Sequence, residues 1–142
     1  MTPFGARIRT MRAAKGVTQS EMAQDLGVSA GYLSALENGK RGRPNYAFVQ
    51  RVAHYFNVIW DEADELARLA ALSDPRVTVD TAGLVPEATE LANLLAGHVH
   101  RLRPEEIKDL LTRMRRHIRA ADEAAGSSDR LRLSAAKRDI VT

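Results

Sequence analysis

An all-α chain is what this 142-residue sequence predicts, on three observations. Apolar residues recur at helical spacing in seven successive stretches. Capping residues and glycines punctuate those stretches, with Thr18 and Ser29 in front and Gly16, Gly27 and Gly39 behind. The one run that alternates like a strand, residues 76–81, has no second run to pair with, and a lone strand is not stable.

The first helix is expected from Pro3 to Lys15, with Phe4, Ile8 and Met11 on one side and Gly16 as its stop. Thr18 is an N-cap and Glu21 completes a capping box, so a second helix begins at Gln19 and carries Met22, Ala23 and Leu26 inward. Gly27 takes a positive φ at no steric cost and turns the chain sharply. Ser29 then caps a third helix from Ala30 to Asn38, directed to the core by Leu33 and Leu36. Pro44 opens a fourth helix with Phe48, Val49, Val52, Ala53 and Phe56 inward, and a fifth from Trp60 to Leu72 buries Trp60, Ala63, Leu66, Ala67 and Ala70. Two short helices joined by a tight glycine turn form a helix-turn-helix, the geometry that offers one helix to a DNA major groove.

Charge separates along this half. Through Val58 eight basic side chains face three acidic ones, whereas the fifth helix sets Asp61, Glu62, Asp64 and Glu65 against Arg68 alone. The whole-chain net charge of +3 therefore conceals a basic face beside an acidic cap, and only the first suits phosphates. Lys40, Arg41 and Arg43 follow directly on the third helix.

Residues 1–72, with Thr18-Gln19-Ser20-Glu21-Met22-Ala23, Gly27-Val28-Ser29 and Tyr32-Leu33-Ser34-Ala35-Leu36-Glu37-Asn38-Gly39, resemble the DNA-binding domain of the XRE family of lambda-repressor-like regulators. The resemblance implies a five-helix domain whose third helix reads base edges through Ser29, Ala30, Gly31, Tyr32, Ser34 and Ala35. It implies that Gln19 contacts a phosphate, and that Asn38, Lys40, Arg41 and Arg43 grip the backbone. It further implies a structural ion pair between Arg12 and Glu37. This chain departs from many relatives in having Ala30, Gly31 and Ala35 where they carry long polar side chains. Alanine touches a thymine methyl but gives no bidentate hydrogen bonds, which shifts readout to Ser29, Tyr32, Ser34 and DNA shape.

Residues 73–85 read as a linker holding the candidate strand. From 86 to 125 a helical hairpin is expected, with Leu91, Leu94, Leu95, His98 and Leu102 on one helix and Ile107, Leu110, Leu111, Met114 and Ile118 on the other. Such a hairpin has too little surface to bury both stripes by itself, so it packs on the first domain or on a second copy. Two-fold DNA half-sites favour the second copy, a homodimer. Arg113, Arg115, Arg116 and Arg119 would sit near a helix C-terminus, where cations complement the macrodipole. Residues 126–142 read as a basic, disordered tail that opens at Gly126-Ser127-Ser128, in which Leu131, Leu133, Ile140 and Val141 offer a segment for a protein partner.

No cysteine is present, which removes disulfides, thiolate metal sites and thiol nucleophiles. His98 and His100 lie on different helix faces, and no phosphate-binding loop or catalytic set appears. No catalytic residue, metal or cofactor is expected, and no apolar run reaches the ~20 residues of a membrane span. The expectation is a cytoplasmic, non-enzymatic regulator bound to double-stranded DNA on the nucleoid, with repression by operator occupancy. An antitoxin, or an interaction scaffold that keeps the helix-turn-helix core, is the alternative.

Overall fold

Helices account for all regular structure among the described residues of the computed structural model, which describes the backbone of residues 1–141 and side chains through residue 137. They are α1 (Pro3–Lys15), α2 (Gln19–Leu26), α3 (Ala30–Glu37), α4 (Tyr46–Tyr55), α5 (Asp61–Ala71), α6 (Pro86–His98), a 3-10 turn over Val99–Arg101, and α7 (Pro104–Val141). The chain divides into two units, Met1–Thr78 and the residues from Val79 onward.

In the first unit each helix start has a chemical cause. Thr2 Oγ1 accepts from the Gly5 N–H, and Pro3 occupies the first turn, where its missing N–H costs nothing. The Thr18–Glu21 capping box is complete, and Gly16 and Gly27 close α1 and α2 at φ 73° and 71°. Ser29 Oγ accepts from the Tyr32 N–H at 3.0 Å. The fourth helix starts later than Pro44 because Asn45 is the cap, its side chain accepting from the Phe48 N–H at 2.8 Å.

Trp60 corrects an expectation. It precedes α5 with φ 53° and is 80% exposed, so its ring contributes nothing to the core. Positive φ at Asn57 and Trp60 turns the chain before the helix begins, and Leu66 and Ala70 fill the inward positions instead. The core draws on all five helices through Phe4, Ile8, Met22, Leu26, Leu33, Leu36, Phe48, Val52 and Leu66 among others. Each such side chain contributes about 1.5–3 kcal/mol by leaving water.

The unit extends past Leu72, where the linker was expected to begin. Ser73 is 1% exposed; its hydroxyl accepts from the Phe4 N–H and donates to the Leu69 carbonyl, tying the start of α1 to the end of α5. Across from it, α1 meets the end of α3 backbone to backbone. The Thr2 N–H and hydroxyl both donate to the Glu37 carbonyl, and a Cβ on Gly5 would lie 2.2 Å from that same oxygen.

The second unit is different in kind. None of its described residues is buried. Leu91, Leu94, Leu95, Ile107, Leu110, Leu111, Met114 and Ile118 are all exposed. The helices predicted for a hairpin are present, but α6, which runs straight on into the 3-10 turn, is not packed along α7. The reason lies in the connection, where the 3-10 turn leads into an extended Leu102 at ψ 141°. Arg103 starts α7 by donating its N–H to Glu106 Oε2 at 2.8 Å and its guanidinium to Oε1, which holds the Glu106 carboxyl below its usual range. The candidate strand at 76–81 does not form among the described residues, as expected of an alternating run with no strand to pair with.

The tail expected to be disordered from Gly126 is instead a continuation of α7 to Val141. One glycine costs only about 1 kcal/mol of helix propensity, and it is flanked here by alanines, leucines and arginines that favour helix. The side chains of Arg138, Asp139, Ile140 and Val141, and Thr142 as a whole, lie outside the described residues.

Gly5→Ala tests the backbone approach between α1 and α3. Alanine is the better helix former, yet its methyl would displace the Glu37 carbonyl. Urea unfolding is expected to show a loss of about 1–3 kcal/mol from overpacking. A gain in stability would mean that the two backbones stand further apart.

Candidate nucleic-acid interface

The α2–α3 pair is set by the turn between them. At Gly27 the chain reverses in the left-handed region, and the Val28 N–H returns to the Ala23 carbonyl at 2.9 Å. Ser29 then restarts the helix. Leu33, Leu36 and Glu37 point inward and are buried, whereas Gly31 is exposed and Ala30, Ser34 and Ala35 are partly so. The outer face of α3 consequently carries no side chain larger than serine along its middle.

Glu37 anchors that face from behind. Its carboxylate is paired with Arg12 through both guanidinium nitrogens, and it also accepts from Gln19 Nε2 at 3.0 Å. The side chains of Arg12 and Glu37 are only 10% and 3% exposed. One carboxylate thereby joins α1, the first residue of α2 and the last of α3.

Tyr32 is half-buried rather than free. Its ring meets Phe48 of α4 edge-on at 6.0 Å between centroids, and the Arg41 guanidinium carbon lies 5.5 Å from its ring centroid. That contact leans Arg41 back towards α3 with a cation–π attraction. Beyond Glu37 the chain passes through Gly39 and Gly42, both at positive φ, and the Lys40 N–H caps the Ala35 carbonyl at 2.8 Å. The Asn38 amide donates to the Ser34 carbonyl at 2.9 Å. Lys40, Arg41 and Arg43 are exposed, and none has an ion-pair partner among the described residues.

The sequence-predicted residues thus fall into two sets. Ser29, Gly31, Ser34 and Ala35 share the outer side of α3, while Ala30 packs partly against the core; Asn38, Lys40, Arg41 and Arg43 lie at its C-terminal end and Gln19 at the start of α2. Arg12 lies behind them in the buried pair with Glu37. Sequence reasoning missed Thr2, Gly5 and Ser73, which position α1 against α3 and α5. The available signal was Gly5 inside an otherwise good helix, since a glycine there commonly marks close backbone approach.

Opposite the α3 face, Lys15 Nζ stands 4.0 Å from the centroid of the Tyr55 ring and donates to the Tyr55 carbonyl. Burial, reinforced by the nearby Asp25, pushes the Tyr55 hydroxyl above its ordinary pKa. Both contacts fix the end of α4.

Five helices with a glycine-hinged pair at their centre define a helix-turn-helix domain. A family profile described as a helix-turn-helix domain matches residues 3–69. Over 64 residues the chain is 42% identical to the HTH-type transcriptional regulator YazB of Bacillus subtilis (strain 168), covering 45% of this chain and 87% of that protein. It is 36% identical over 61 residues to the HTH-type transcriptional regulator RghRB of the same organism, covering 43% and 44% respectively. The HTH-type transcriptional repressor RghR, also of that organism, is 34% identical over 61 residues, covering 43% and 45%. The matches thus span under half the length of RghRB and RghR. No solved structure matches the chain. The chain belongs to the XRE-like family of helix-turn-helix transcriptional regulators.

Removing the charge at Glu37 isolates the anchor. Glu37→Gln leaves the Arg12 guanidinium buried without a counter-charge, and breaking a buried pair on one side costs about 3–5 kcal/mol. A drop of that size in urea unfolding at unchanged m-value is the expected result. A drop below about 1 kcal/mol would mean that Arg12 finds water instead.

Proposed function

We propose that the protein is a dimeric, sequence-specific DNA-binding regulator that lays α3 in the major groove and represses by occupying an operator. The observation that carries this reading is the outer face of α3: built of small residues, open at Gly31 and partly so at Ser34 and Ala35, and bordered at its end by three exposed cations without ion-pair partners among the described residues. A helix stripped of long side chains lets its backbone come close to base edges. Ala30 and Ala35 suit thymine methyls, while Ser29, Tyr32 and Ser34 supply the polar contacts. Ser29 Oγ spends an acceptor site on its helix cap and retains its hydroxyl hydrogen for a base or phosphate. Gln19 has one amide hydrogen on Glu37 and a second for a phosphate oxygen. Asn38, Lys40, Arg41 and Arg43 supply the remaining backbone contacts.

Dimerisation is supported by the second unit. Leu91, Leu95, His98 and Leu102 on the first segment, and Ile107, Leu111, Met114 and Ile118 on α7, follow the alternating four- and three-residue spacing of packed bundles. The apolar members on α6 and α7 stand exposed in the single chain. Two copies supply four such helices, enough for a bundle that buries all the stripes. A protein partner docking on the same stripes would take the place of the second copy. Repression is the role for which one relative, the transcriptional repressor RghR, is named.

Selection of random duplexes on the full chain tests the reading. A two-fold-symmetric motif with half-sites about one helical turn apart is expected. On the enriched duplex, Gly31→Ala should weaken binding while raising stability by roughly 0.5–1 kcal/mol, because no atom lies within 4 Å of the added methyl. Arg43→Ala should weaken all duplexes alike and lower the salt slope by about one. Absence of any enriched motif would return the chain to an interaction scaffold.

A further inference from the structure

The arginines of α7 have lost the role their sequence position suggested. Were the helix to end near residue 125, Arg113, Arg115, Arg116 and Arg119 would complement its C-terminal dipole. The helix instead runs to Val141, which places Arg119 about 33 Å from its end. The dipole acts only within the last turn, so it accounts for none of them.

Internal pairing does not account for them either. Between Leu110 and Ala121 the chain has four arginines, one histidine and no carboxylate; Asp122 and Glu123 follow at neighbour spacing from Arg119 but form no ion pair with it among the described residues. Arg113 is held by Asp109. Arg115, Arg116 and Arg119 are exposed and make no side-chain hydrogen bond or ion pair among the described residues. With ~100° of rotation per residue they fall in one arc, centred roughly a third of a turn from the stripe Ile107, Leu111, Met114 and Ile118. Covering the stripe with a partner helix leaves that arc facing out.

We infer that this arginine face is a second polyanion-binding surface, and that its ligand is the phosphate backbone of duplex DNA, contacted without base readout. The inference rests on the DNA-binding reading of the first unit, which brings duplex to the chain at high effective concentration. Guanidinium groups match phosphate oxygens through paired N–H donors. The whole of α7 contains no Phe, Tyr or Trp. It therefore lacks the platforms on which single-stranded bases stack, and the aromatic anchors typical of membrane-surface helices. Backbone binding through arginine adds affinity and salt sensitivity on every sequence alike.

Full-length protein is titrated with a random-sequence duplex and with the selected operator across a salt series. Arg115→Gln/Arg116→Gln/Arg119→Gln is expected to lower the salt slope on both duplexes by roughly 2–3, at ~0.9 per phosphate contact. The ratio of operator to random-duplex affinity should stay at the wild-type value. Replacing the same three arginines with lysine should keep most of the slope, and Arg113→Gln should leave it unchanged. Glutamine is nearly as good a helix former as arginine. Arg116→Gln alone, expected to lower the slope by about one, serves if the triple variant loses helix by circular dichroism.

An unchanged slope in the folded variants overturns the inference. The same holds if phosphatidylglycerol vesicles bind the wild type, lose the triple variant, and the duplex slope does not move. A wild type that selects no motif, yet whose slope still falls in the triple variant, sinks the operator reading and leaves this surface standing. A wild type that holds no duplex at any salt overturns both.

Discussion

The buried carboxylate of Glu37 is the constraint on which the geometry of the helix-turn-helix depends. It receives Arg12 from α1 and Gln19 from α2, and it is itself the last residue of α3. Its backbone carbonyl receives Thr2, and Gly5 leaves room for the approach. A buried ion pair contributes little net stability, since desolvation cancels much of the attraction, but it is intolerant of a missing partner. Its consequence here is position. The pair and the Gln19 contact link α1, the start of α2 and the end of α3, so that the outer face of α3 and the start of α2 stand side by side.

Position in turn explains why the face itself is so plain. On the proposed reading, longer side chains at positions 30, 31 and 35 would reach bases from a distance, whereas small ones need a helix brought close and held there. Arg41, leaned on Tyr32, and the glycines around Lys40 form a short basic loop at the end of that helix. The rigid part of the proposed interface is therefore behind and beside α3, and the face offered for contact is small.

The first unit was largely legible in the sequence because its signals are local. Caps and glycines act within a turn, so α2 and α3 begin where Thr18 and Ser29 allow, and α1, α2 and α3 stop near Gly16, Gly27 and Gly39. Trp60 and Ser73 were misjudged because their environments depend on distant partners: a large apolar residue sits outside, and a hydroxyl next to a proline turn sits in the core. Helix period cannot distinguish these cases. In the second unit the helices were legible and their arrangement was not. Apolar stripes state that a surface is covered without stating by what, and a glycine-serine-serine run ends a helix only where its neighbours do not favour continuing it. The expected roles of Gln19 and the α3 side chains were carried by resemblance, and the geometry adds that Gln19 is shared with Glu37.

The most direct test of this account removes both charges together. Arg12→Met/Glu37→Leu eliminates the pair without leaving either partner buried alone, so unfolding should recover most of what Glu37→Gln loses. The account predicts that this folded double variant still binds the selected operator about tenfold or more weakly, a cost of ~1.4 kcal/mol, because α3 and Gln19 have lost their shared anchor. Wild-type affinity in a double variant of native stability would contradict it, and would leave the apolar core alone responsible for placing the recognition helix.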